Sequence, residues 1–309
     1  MIVGVVNNRP VWGGIPWTRQ RGTQFTIDIG VSTIESYLRR RTVKDHVWRG
    51  LDEARIMAAL AGDAEMFYGQ YNGINLQIDA PDTGQKRDRE YKAGDYKSVF
   101  DAMTELMGVE GGPEWTIDLV WTDDTQRAFT KVLTVRKELG LRTARPDTVF
   151  TASAAVYDSK SANDASYLLT EDMSSRYAAN VIGAYSSGEG DSKPISSLMV
   201  DELSLANGLP VLEYYWQPSN NITEQSSLDG HASAALDRMR DGAVSWDVSA
   251  RWDSEPRLGY HWNLGDDVSW FLHGHGHPEG VQGNGRVVGW ELAPQSGTVK
   301  PILWSEGDG

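Results

Sequence analysis

The chain has 309 residues, 40% of them hydrophobic and 23% charged, which is the balance of a folded water-facing protein of about two domains. It contains no cysteine, so disulfides, thiolate catalysis and Cys-ligated metals are excluded. Its formal net charge of −14 opposes phosphate, so stable binding to nucleic acid or to an anionic membrane is not expected.

No run of about 18 apolar residues occurs, so no membrane span is expected. The opening decapeptide has neither a basic start nor a long apolar stretch, and gives no expectation of a signal peptide. Tryptophan is abundant at 12 residues, and glycine reaches 32. Rings in such numbers belong first to a β-rich core or a subunit interface, and second to sugar stacking.

In chain order, residues 2–6 and 11–17 read as strands separated by the Asn7-Asn8-Arg9-Pro10 turn signal. Phe25, Ile27, Ile29 and Val31 alternate with polar residues or glycine, which is the pattern of a half-buried strand. Strands at a chain start cannot close a sheet alone, so they are expected to pair with later strands or with another chain. Arg39, Arg40 and Arg41 form a short basic run, read as solvated surface paired with local carboxylates. A helix is expected over 50–61, stopped by Gly62, followed by a strand over 74–78 and a polar loop over 82–89.

A second helix carries Tyr96, Val99, Phe100, Met103, Leu106 and Met107 at helical spacing, with Asp95 as its expected cap and Gly108 as its stop. A hairpin follows. Trp115, Ile117, Leu119 and Trp121 share a face of its first strand, and Phe129, Leu133 and Val135 mark the second. Periodicity is lost from 143 to 172, which reads as a connection. Strands are expected over 177–186, 198–205 and 209–216, and a helix over about 223–240. Val244, Trp246, Val248, Ala250 and Trp252 form the cleanest alternation in the chain. The end, 264–304, reads as a β-meander with a Gly-rich loop at 274–285.

Few residues suggest chemistry. His273, His275 and His277 alternate with glycines and form the one group with metal-ligand spacing; they read as a mobile or interface loop, with a metal site as the alternative. Asp123-Asp124 and Asp266-Asp267 are adjacent pairs, which suit turns better than the opposed carboxylates of a glycosidase. The glycines of 183–190 lack the pattern of a phosphate or dinucleotide loop. Asn221-Ile222-Thr223 is a formal glycosylation sequon at a helix start. No catalytic or cofactor-binding residue is assigned.

Five ordered segments resemble the minor tail proteins of long-tailed actinobacterial bacteriophages, which are baseplate or tail-tip hub proteins. They are Pro10-Val11-Trp12-Gly13-Gly14-Ile15; Tyr37-Leu38 with its arginines; Gly111-Gly112-Pro113-Glu114-Trp115-Thr116-Ile117-Asp118; Ala179-Asn180 through Gly188-Glu189-Gly190; and Leu264-Gly265-Asp266-Asp267-Val268 with Gly285-Arg286-Val287-Val288-Gly289-Trp290. The resemblance implies an α+β, β-rich fold, with tail-tube-like β-barrel domains, an inserted α+β unit and one helix in the C-terminal half. The expected division is a partial barrel segment at 1–38, truncated or completed by other strands, an α+β unit at 39–142, a connection at 143–172 and a second barrel domain at 173–309. It further implies a non-enzymatic homotrimeric hub at the tail tip of the virion, similar to that of contractile-tailed phages. Its implied partners are the distal tail protein, the tape-measure protein and tail fibre or receptor-binding proteins, with DNA passing through the channel. The alternatives are a carbohydrate-active tail enzyme, which needs facing carboxylates in a Trp-lined cleft, and a non-catalytic carbohydrate-binding module.

Overall fold

The computed structural model describes residues 1–23, 25–66, 73–143, 145–152, 165–174, 177–187, 193–218, 222, 224–274 and 276–304. The fold is α+β and rich in strands.

The chain begins with an antiparallel sheet of β1 (Ile2–Val6), β2 (Arg9–Arg21) and β3 (Ile27–Thr33), in that order. Asn7 and Asn8 both take positive φ, at 49° and 64°, which makes the tight turn whose twist matches a hairpin. Among the described residues these strands pair only with one another, so within the chain the expected pairing with later strands is not made. The sheet instead lays a face on the next unit. A Cβ on Gly13 would sit 2.3 Å from Leu119 Cδ1, so glycine at this position lets the two layers meet. A 3-10 helix, Ile34–Arg40, buries Ile34 and Leu38 and leads on.

The next unit contains β4 (His46–Asp52), α1 (Glu53–Glu65), β5 (Leu76–Asp79), β6 (Lys86–Tyr91), α2 (Val99–Met107), β7 (Glu114–Trp121) and β8 (Phe129–Arg136). The two helices and the β5-β8-β7 sheet enclose a core that includes Ile56, Met57, Leu60, Met103, Leu106 and Leu133. Asp52 caps α1 by accepting from Ala54 N at 2.9 Å, and the preceding Gly50 has φ +58°, so the helix starts later than expected. It also runs through Gly62, because Asp63 and Ala64 beyond it are buried. Ser98, not Asp95, caps α2, accepting from Asp101 N at 3.0 Å while its hydroxyl meets Asp101 Oδ2 at 2.7 Å. The expected polar loop over 82–89 is largely β6, paired antiparallel with β4. Its charge misleads: Arg87 reaches inward to the fully buried Glu53 at 3.1 Å.

The C-terminal half contains β9 (Val149–Ala152), β10 (Ser166–Asp172), β11 (Val181–Ala184), β12 (Met199–Val200), α3 (Glu202–Ala206), β13 (Glu213–Trp216), α4 (Gln225–Met239), β14 (Ala243–Arg251), β15 (Asp267–Gly274), β16 (His277–Ala293) and β17 (Thr298–Trp304). Six of these strands form a sheet in the order β10-β14-β17-β16-β15-β9. Among the described residues it is open, with β10 and β9 at its edges. Its core gathers Phe150, Val248, Trp262, Trp270, Leu272 and Val299.

The stretch without periodicity therefore supplies both edge strands, each specified by its neighbour: β9 runs parallel to β15 and β10 antiparallel to β14. The expected Gly-rich loop is mostly strand, since β16 starts at His277. Its glycines make room for rings: a Cβ on Gly283 would lie 2.4 Å from Trp270 Cζ2. A smaller sheet, β12-β11-β13, carries α4 on one face through Leu228 and Ala232. The strand expected over 198–205 is only β12, because Asp201 accepts from Ser204 N at 3.3 Å and starts α3.

Candidate functional site

The residues singled out for chemistry are dispersed. His277 Nδ1 lies 2.8 Å from the Tyr167 hydroxyl, and the His273 ring packs edge-on against Phe271. His275 lies outside the described residues, and so do most of the sequon and the distal part of the 183–190 segment. Among the described residues, no three His, Asp or Glu side chains gather as a metal site. Asp123 accepts from Thr125 N at 2.9 Å and shapes the β7–β8 turn. In the basic run, Arg39 lies over the Phe100 ring at 3.5 Å, and Arg41 donates to Tyr37 Oη at 3.1 Å.

Asp266 and Asp267 form half of a seam between the two larger units. Asp266 Oδ1 accepts from Leu141 N at 2.5 Å and its Oδ2 from Asn263 N at 2.7 Å. Asp267 Oδ2 accepts from Thr143 N at 2.7 Å, and its carboxylate takes the Arg142 Nε–H. Gly140 and Gly265 stand back to back with φ of +76° and +92°; a Cβ on Gly140 would fall 2.1 Å from the carbonyl carbon of Gly265.

Beside them Arg286 on β16 clasps Glu114 on β7. Its Nη1 donates to Oε1 at 2.6 Å, its Nη2 to Leu139 O at 3.0 Å, and its Nε to Gly265 O at 3.1 Å. Leu139 N closes the ring onto Glu114 Oε2 at 2.7 Å. Burial pushes the Glu114 carboxyl up. The Arg286 bonds, the Leu139 amide and the charges of Arg286 and Arg142 outweigh it and hold the carboxyl below its ordinary value. The bonds from Glu114 in turn hold the Arg286 guanidinium above its own ordinary value.

Next to the seam is a cleft of about 1290 Å³ bounded by β1, β2, β7 and the loops at 138–140 and 258–266. Trp12, Trp121 and Trp290 line it, as do Glu35 and Asp118. The β1–β2 turn locks its rim: Trp121 Nε1 donates to Asn8 O at 2.7 Å, and Tyr260 Oη donates to Asn7 O at 2.5 Å. Asp118 is exposed within the cleft, yet the surrounding walls displace enough water to raise its carboxyl, and the charge of Glu35 adds to this. Glu35 Oε1 accepts from Ile117 N at 3.1 Å, while its Oε2 is buried with no hydrogen-bond partner.

The resemblance segments containing Trp12, Asp118 and Asp266 with Trp290 converge here from distant parts of the chain. The Glu114–Arg286 clasp was not foreseen. Both residues stood within resemblance segments, but nothing in single-chain spacing joins partners 172 positions apart.

No protein-family profile matches the chain. No curated protein matches it in sequence. Among solved structures, a tail protein from Neisseria meningitidis MC58 superposes with a TM-score of 0.50 at 14% identity, covering 96% of this chain and 81% of that one. A 43 kDa tail protein of prophage MuSo2 from Shewanella oneidensis gives 0.41 at 13% identity, covering 97% and 79% of the two chains. The prophage tail protein gp18 from Listeria monocytogenes EGD-e gives 0.39 at 12%, covering 97% and 78%. The likeness to the Neisseria protein shows a shared fold along nearly the whole chain.

Proposed function

We propose that this chain is a structural subunit of a bacteriophage tail, placed at the tail tip as a homotrimeric hub. In this reading it continues and closes the tail tube, seats the tape-measure protein, meets the distal tail protein, and holds tail fibres or receptor-binding proteins. The observation that carries it is the fold shared with the tail protein from Neisseria meningitidis over 96% of the chain. The five ordered segments resembling actinobacterial minor tail proteins add to it.

The physical chemistry agrees. Side chains at the seam are spent on fastening one unit to another, and the acidic balance suits a wall that DNA passes without being held. Imaging of the purified chain tests this: a ring of three with a central hole is expected, together with antibody labelling at the tips of phage particles. A monomer absent from particles overturns it.

One observation favours the carbohydrate-active alternative. The cleft is lined by tryptophans and contains two carboxylates, and Asp118 is raised in the direction a general acid requires. Against it, Glu35 commits Oε1 to Ile117 and has Oε2 buried without a hydrogen-bond partner, and Asp266 has both oxygens engaged. Neither carboxylate offers Asp118 a water-facing oxygen free of other bonds. Release of reducing sugar from host wall polysaccharide, abolished by Asp118→Asn, would establish the enzyme reading; no release by the wild type removes it.

A further inference from the structure

Two surfaces of this chain are unfinished in complementary ways. The first is the outer half of the β2–β3 ribbon. Beyond Ile15, β2 has left β1, and almost every residue of the ribbon is exposed on both faces. The register places Arg19 opposite Ile29 and Arg21 opposite Ile27, so these four side chains share one face. Gln20 pairs with Asp28 and Thr18 with Gly30 on the other. The ribbon is therefore amphipathic, and no described residue packs on its apolar side. Neither Arg19 nor Arg21 makes an ion pair among the described residues. A two-stranded ribbon of this kind is marginal in water by itself, and exposed isoleucines add no stability until they are covered.

The second surface is the small sheet β12-β11-β13. Ile182, Met199, Tyr214 and Trp216 point toward α4. The alternate residues point away. Val181 pairs with Val200 on one side and Glu213 on the other, and Gly183 pairs with Tyr215. A Cβ on Gly183 would lie 2.6 Å from Tyr215 and 3.4 Å from Leu198, so both side chains lie over that glycine. Leu198, Val200 and Tyr215 are exposed, and so is Leu203 on α3, at 72%. Glu213 shares this face through its pairing with Val181, Glu202 opens α3 two residues beyond Val200, and neither makes an ion pair among the described residues.

We propose that the ribbon of one copy docks by its Ile27–Ile29 face onto the bare face of the small sheet of a second copy, with Arg19 and Arg21 meeting Glu202 and Glu213. Charge complementarity selects the occupant: among the described residues, one face holds two arginines without an ion pair, and the other holds Glu213 and adjoins Glu202, likewise without one. The patches differ, so the contact is head-to-tail, the kind that closes copies into a ring when the rotation permits. The choice of a second copy rests on the ring reading above; the geometry of the two faces does not.

The test is the mass in solution of the full chain and its charge-reversed variants. R19E/R21E and E202R/E213R are each expected to weaken self-association at least tenfold, and the quadruple variant to restore it at moderate salt. All substituted positions are exposed, and circular dichroism of each variant checks folding. Restoration in the quadruple variant also excludes simple misfolding. Association unaffected by either pair of reversals overturns the docking while leaving the tail-ring reading intact. A wild type that stays monomeric overturns both. Self-association with rescue, in a chain absent from phage particles, upholds the docking and removes the tail reading.

Discussion

At the seam, Arg286 is 14% exposed and all three nitrogens of its guanidinium donate, to Glu114, Leu139 and Gly265. At the ribbon, Arg19 and Arg21 stand in water among isoleucines that cover nothing. The same residue type thus serves opposite ends. Where Arg286 lies, the chain joins its own units, and desolvation makes each missing bond costly. Where the ribbon lies, local pairing is complete but packing is absent, so the fold does not need those side chains. The contrast separates residues the molecule spends on itself from those it leaves for something else.

The comparison breaks most severely at the back-to-back glycines. Gly140→Ala forces a Cβ into the Gly265 backbone at a positive φ, and is expected to cost on the order of 3 kcal/mol in urea unfolding. Arg286→Met should cost about 2 kcal/mol, because it leaves the partly buried Glu114 charge unpaired. A double-mutant cycle with Glu114→Gln should recover part of that loss.

Acid resolves the two carboxylates of β7. Glu114 is held below its ordinary value, so its contribution is present above the unfolded value and fades as pH falls through the folded one. Glu114→Gln should therefore be destabilising at neutral pH and converge with the wild type in acid. Asp118 is raised, so its contribution is present below the unfolded value and is lost as pH rises through the folded one. Asp118→Asn should stabilise at neutral pH, with the gap closing in acid; the opposite order of unfolding midpoints would refute both assignments. The smallest effect belongs to the ribbon. Arg19→Ala or Ile29→Ser should change the stability of the isolated chain by less than about 0.5 kcal/mol, and a larger loss would mean the ribbon packs on its own body.

Sequence by itself determined the elements whose pattern is local. The alternation in β7, β8 and β14 and the apolar spacing of α2 follow from side-chain periods of 2 and 3.6, which need no knowledge of neighbours, whereas in β3 the same period marks the strand but not the expected burial, since Ile27 and Ile29 are exposed. Tertiary structure alone decided the rest. Polar β6 and the two edge strands β9 and β10 exist because a neighbouring strand supplies their hydrogen bonds. The glycines of β16 read as a loop in the sequence, yet they, like Gly13 of β2, are places where side chains such as Trp270 and Leu119 approach the backbone. The Glu114–Arg286 clasp, the cleft holding Asp118 and the bare face beside α3 all join residues distant along the chain. Composition records that such groups are present; only packing sets which ones meet and how much water is left around them.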